Sequence, residues 1–166
     1  MIIGIGGVST AGKTTLSAQL RDFYTEQKCI TLCQDDFVKP LEQIPLINNR
    51  INWEHPDSID HDRFREAIRE AGRNYDIVIA EGLLVFHNKA TRKLLEKRLC
   101  VEIDFTTFRK RKAVDKRWGY EPPWYIQHIW DSFLEYGSIP DDGAEYLILD
   151  GRLPFNLEII NSYLKR

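Results

Sequence analysis

The stretch GGVSTAGKTT, residues 6–15, is rich in glycine and small residues and closes on a lysine and two threonines. From Gly7 it matches G-x-x-x-x-G-K-[ST], with Gly12, Lys13 and Thr14 completing the pattern. Glycines let backbone N–H groups converge on phosphate oxygens with no Cβ in the way. A helix beginning at the lysine turns the positive end of its dipole toward the same oxygens. Gly7, Ser9, Ala11, Gly12, Lys13, Thr14 and Thr15 are therefore expected to hold a nucleoside triphosphate, ATP in the first place. Lys13 reaches the β- and γ-phosphates, and the Thr14 hydroxyl ligates Mg²⁺.

The flanks of this loop agree with that expectation. Met1 to Gly6 reads as a buried strand. Lys13 to Gln27 carries Leu16, Leu20 and Phe23 at the spacing of one helical face. Further along, short apolar runs alternate with helical patterns, which points to βα units around a mostly parallel sheet. Cys29 to Cys33, residues 76–82 (DIVIAEG), Leu99 to Asp104 and Tyr146 to Asp150 read as strands. His61 to Ala71 and Pro154 to Leu164 read as helices. Residues 34–60 and 105–143 do not fit simple crossovers, and long connections of that kind tend to carry function.

The 166 residues suit one domain, 1–166, with a sizeable core. With 43% hydrophobic and 29% charged residues the expected class is a soluble globular protein, and no apolar run nears the span of a membrane helix. The apolar opening lacks the basic start of a secretory signal. Cys29, Cys33 and Cys100 form no metal-binding spacing, and their odd number fits reduced thiols in the cytoplasm. A formal net charge of -2 speaks against nucleic acid as a partner.

Among proteins with such a loop, a GTPase would carry a late N-K-x-D, and the chain has none; motor ATPases need more chain. A small kinase fits the length. Its acidic groups are expected at the carboxyl ends of strands, where doubly wound sheets bind ligands. Asp35 and Asp36 end the second strand, and Glu81 ends the next. One carboxylate there suits a base for an attacking hydroxyl, and another suits Mg²⁺. Phe37, Trp53, Tyr120 and Trp124 offer flat faces for a base. The run RKRKAVDKR, residues 109–117, concentrates positive charge and is expected to form a lid over ATP, within about residues 105–125.

Taken together, GGVSTAGKTTLSAQL, QDDFVKP, NWEHPDSID and IVIAEGLLVF resemble the nicotinamide riboside kinase and uridine kinase family of P-loop nucleoside kinases. QDDFVKP, IQHIWDSFLEY and LILDG are nearer the nicotinamide riboside kinases, and NWEHPDSID is nearer the uridine kinases. The resemblance implies an α/β P-loop kinase sheet of strand order 2-3-1-4-5 with helices on both faces. It implies γ-phosphate transfer from ATP, with Mg²⁺, to the 5′-hydroxyl of a ribonucleoside. The acceptor is nicotinamide riboside-like, with uridine or cytidine as the alternative. By the same resemblance Asp35 is the general base and Glu54 grips the ribose, Glu standing where the family's Asp is expected. Asp35 and Glu81 assist Thr14 with the metal. Arg111, then Arg117 and Arg109, are the lid arginines on the phosphates, and Glu121 is the acidic residue near the base. Rival functions are kinases of other small alcohols, an ATP-sensing regulatory module, and RNA binding through the basic run.

Overall fold

Ile3 and Ile5 of the first strand point to one face of the sheet, while Gly4 and Gly6 leave the other face open to Phe86 and Leu95. The computed structural model describes residues 1–166 and is built around that alternation. β1 (Ile2–Gly6) leads through the glycine loop into α1 (Lys13–Phe23), then β2 (Cys29–Cys33). A hairpin of two short strands follows, β3 (Leu46–Ile47) and β4 (Arg50–Ile51). Next come α2 (His61–Asn74), β5 (Ile77–Glu81), α3 (Lys89–Arg92) and β6 (Lys97–Glu102). The chain closes with α4 (Phe105–Val114), α5 (Pro123–Ser132), β7 (Leu147–Asp150) and α6 (Leu157–Leu164).

The main sheet has five parallel strands in the order β2-β5-β1-β6-β7, which is 2-3-1-4-5 when its own strands are counted along the chain. That is the expected fold. β1 sits centrally, with Ile3 level with Ile79 on one side and Ile5 level with Leu99 on the other. Strands buried on both faces must be apolar throughout, and IVIAE of β5 is buried along its whole length. The larger core joins Ile3, Ile5, Ile79 and Leu99 to Leu16 of α1, Phe108 of α4 and Ile129 of α5. The smaller core, on the opposite face, joins Ala80 and Cys100 to Phe64 and Ile68 of α2.

Several boundaries differ from expectation, each for a local reason. α1 stops at Phe23, four residues before Gln27, and the Tyr24 hydroxyl then donates to Asn161 Oδ1 at 2.7 Å, tying the end of α1 to α6. β6 starts and ends earlier than expected, because Asp104 accepts from Thr107 N and caps α4. α6 starts at Leu157, where the Asn156 side chain accepts from two backbone N–H groups. Trp124 and Tyr125 lie in the first turn of α5. Pro123 opens that turn, and proline is well suited to a first helical position. No helix is long and apolar enough to cross a membrane.

Candidate functional site

The loop between β1 and α1 folds into a tight nest. Gly7 has φ 142°, Thr10 63° and Gly12 114°. A Cβ on Gly7 would run into the Val101 carbonyl, so the backbone requires glycine there. Gly12 caps α1 with no side-chain acceptor, which leaves the first N–H groups of the helix free for an anion. Lys13 Nζ donates to the Val8 carbonyl at 3.0 Å, so the lysine lies back across the loop. Burial pulls its pKa down, opposed chiefly by Asp35 and Glu81. An ammonium held this way gains from a phosphate dianion. The loop, an acidic strand edge and the lid surround a cleft of about 890 Å³. Ser9, Gly12, Lys13, Thr14 and Thr15 line it, as expected; Ala11 is fully buried behind the loop and contributes backbone only.

The carboxyl ends of β2 and β5 deliver the acids. Asp35 lines the cleft, whereas Asp36 does not: its carbonyl accepts from Arg63 of α2. Glu81 is buried at 2% exposure, and its Oε2 accepts from Thr14 Oγ1 at 3.1 Å. Burial raises the Glu81 pKa, offset by that hydrogen bond and by Lys13. Glu54 lies across the cleft on the segment after β4. Its pKa is pushed up to about 7, first by burial and then by Asp35 and Glu121, with Lys112 and Lys13 opposing.

The lid departs from expectation. Arg111 does not enter the cleft. Its guanidinium donates to the carbonyls of Thr10 (3.1 Å), Ala11 (3.4 Å) and Gly151 (2.8 Å), binding the outer side of the phosphate loop to the turn after β7. Arg109 also turns away and lies over the Phe105 ring. The inward cation of α4 is Lys112, 3% exposed, with Nζ 2.8 Å from Glu121 and 3.9 Å from Asp115. The consecutive residues 109–112 point in four directions around a helix, and only the one stacked a turn beyond buried Phe108 faces inward. That offset was the available signal for Lys112. Arg117 does line the cleft, held in a two-point pair on Asp115 with both N–O distances 2.8 Å. The pair holds the Asp115 pKa down at about 2.

Of the aromatic residues, Trp53 lines the cleft and is 43% exposed. Phe37 does not; it packs on Phe64 with ring centroids 5.1 Å apart and carries Arg63 on its other side. Tyr120 and Trp124 point outward, and their places are taken by Trp118 and Tyr125. The Tyr125 hydroxyl accepts from Trp53 N at 3.3 Å and donates to the Ile51 carbonyl at 3.4 Å, pinning the hairpin to α5. Arg50 at the base of β4 also lines the cleft.

The donor set fits ATP and a hard divalent cation. The Thr14 hydroxyl and Glu81 carboxylate are 3.1 Å apart. Neighbouring ligands on an octahedron of about 2.1 Å radius are spaced about that far. The nest and Lys13 supply the donors a triphosphate needs.

A five-stranded parallel sheet, a glycine nest on its central strand and acids at the neighbouring strand ends define a P-loop kinase fold. No protein-family model matches the chain. Uridine kinase of Chlamydia pneumoniae is 31% identical over 135 residues, covering 63% of this chain and 58% of that protein's length. Nicotinamide riboside kinase 2 of Mus musculus is 26% identical over 172 residues, covering 91% of this chain and 87% of that protein. A sugar kinase structure from Janibacter sp. shares the fold at TM-score 0.63 and 18% identity, covering 99% of this chain and 94% of that one. Over most of its length the chain is similar to proteins named nicotinamide riboside kinase, and over part of it to proteins named uridine kinase.

Proposed function

We propose that the protein transfers the γ-phosphate of ATP to the 5′-hydroxyl of a ribonucleoside. The observation that carries this is one cleft lined together by Lys13, Thr14, Asp35 and Glu54. Asp35 sits at the ligand edge of β2 and takes the 5′-hydroxyl proton as the oxygen bonds to the γ-phosphorus. The bond from that phosphorus to the β-phosphate oxygen breaks, and ADP leaves. Lys13 and the loop N–H groups hold the phosphates as charge shifts onto the leaving oxygens. Glu54 accepts from the ribose hydroxyls, for which a carboxylate has the required paired acceptors. Thr14 and Glu81 would hold Mg²⁺, whose positive charge offsets that of the phosphates. Arg117 and Lys112 line the cleft from the lid, and lid closure keeps out water that would otherwise take the phosphoryl group. Trp53 and Trp118 give a flat base two apolar faces, and both the nicotinamide and the uracil nucleosides fit this description.

The test is ADP release from ATP and Mg²⁺ with nicotinamide riboside, uridine, cytidine, adenosine, pantothenate or no acceptor. Stimulation by a nucleoside is the expected result. Stimulation by pantothenate alone, or by no acceptor in the panel while ATP still binds, rejects the function.

A further inference from the structure

The cleft has two ends with different charge. At the phosphate end Lys13 faces Asp35 and Glu81. In the outer half Lys112 is paired with Glu121 and Arg117 with Asp115. Arg50 is different. It lines the cleft, yet it makes no ion pair with any carboxylate; its Nη2 donates only to the Tyr120 carbonyl, at a long 3.4 Å. Its guanidinium lies 5.5 Å from the centre of the Tyr125 ring, so the arginine already occupies that aromatic face. The β3–β4 hairpin holds it there: Ile47 pairs with Arg50 across a two-residue turn, with Asn48 at φ 46° and Asn49 at φ 60°. A turn with both central residues left-handed fixes the register of its strands. Arg50 is therefore a positioned cation with donors to spare. It stands four residues before Glu54 and on the same wall of the cleft as Trp53.

We propose that Arg50 selects the base. It favours a nucleoside whose ring is uncharged and presents a carbonyl oxygen at its outer edge, as uracil does. It disfavours a ring that carries positive charge, as the pyridinium of nicotinamide riboside does. This rests on the nucleoside kinase function proposed above and names the acceptor of that same site. A guanidinium offers planar paired donors to carbonyl oxygen. A cationic ring brought against it meets like charge at the exposed mouth of the cleft, where water screens the repulsion only in part. The remaining exposed faces, Trp53 and Trp118, stack either base and do not reverse the preference.

The experiment is a comparison of kcat/KM for uridine and nicotinamide riboside in the native protein, Arg50→Gln and Arg50→Lys. The native protein is expected to prefer uridine. Arg50→Gln is expected to lower kcat/KM for uridine about tenfold, mainly through KM, which is the usual effect of losing one charged hydrogen bond. It is expected to raise kcat/KM for nicotinamide riboside, while Arg50→Lys keeps the native order with a smaller margin. A native preference for nicotinamide riboside overturns the proposal. So does an equal loss on both nucleosides in Arg50→Gln, which would assign Arg50 to holding the lid through Tyr120. If no nucleoside of the panel stimulates ADP release, the kinase function itself fails; stimulation by adenosine alone leaves that function standing and overturns the Arg50 proposal.

Discussion

Lys13 is a charged group that burial works against, and its pKa is lowered accordingly. Lys13→Ala therefore removes an ammonium that costs the empty protein stability. Turnover should fall at least a hundredfold, the scale for losing one preorganised charge donor. The melting temperature without nucleotide should not drop, and a thermal melt beside a turnover assay checks both. Asp35 has the opposite profile, exposed in the cleft and free of structural hydrogen bonds. Asp35→Asn should lower kcat about a hundredfold or more while the KM for ATP stays within a few-fold, because general-base catalysis contributes on that scale. Glu54 gives a dependence on pH. Its pKa of about 7 lies above the ordinary 4.5, so the folded protein keeps a proton that the unfolded chain has released between those values. Stability contributed at this residue thus falls as pH rises through that window. Ribose binding runs the other way, since it needs the carboxylate. KM for the nucleoside should fall up to about tenfold from pH 6 to pH 8, following the ionised fraction. Glu54→Gln should flatten that profile and melt higher than the native protein at pH 8.

At the scale of elements, the glycine loop was legible as a strand-to-helix turn, because its motif is local and its glycines answer to backbone geometry alone. The strand order likewise followed from the resemblance, and the buried run of β5 from its apolar letters. The lid was legible as a basic helix but not in its orientation. Four consecutive cations at about 100° per residue present charge on every side, and the choice of Lys112 over Arg111 is made by Glu121 and by the carbonyls near Gly151. Neither partner lies on α4 itself. The β3–β4 hairpin was missed because each strand has only two residues, although the Asn48–Asn49 pair is a turn signal. The lid pair also makes a prediction. Lys112 and Glu121 have side-chain exposures of 2% and 10%, so neither is well screened by water. Glu121→Gln should destabilise the protein by about 3 kcal/mol in a denaturant titration, because a buried charge loses its partner. Adding Lys112→Met to Glu121→Gln should recover most of the loss.

For the whole molecule, the site lies where the two cores meet the same sheet edge. α1 and α4 anchor its phosphate side through the larger core, and β2 and β5 bring its acids. Nucleotide binding should therefore stabilise the entire fold rather than one lobe. ATP with Mg²⁺ at a hundred times its dissociation constant should add about 2.7 kcal/mol by mass action. A calorimetric scan should show this as a single transition moved upward, and Lys13→Ala should reduce the displacement.

The Arg111 guanidinium spans the glycine loop near the start of the chain and the Gly151 carbonyl near its end. On the ribosome these parts are made far apart in time. The loop emerges well before the turn after β7, and its outer brace is incomplete until that turn has also cleared the exit tunnel. A growing chain thus carries its glycine loop without the complete brace for as long as the residues between the loop and Gly151 take to be made, and an early segment waits on a late one to be set.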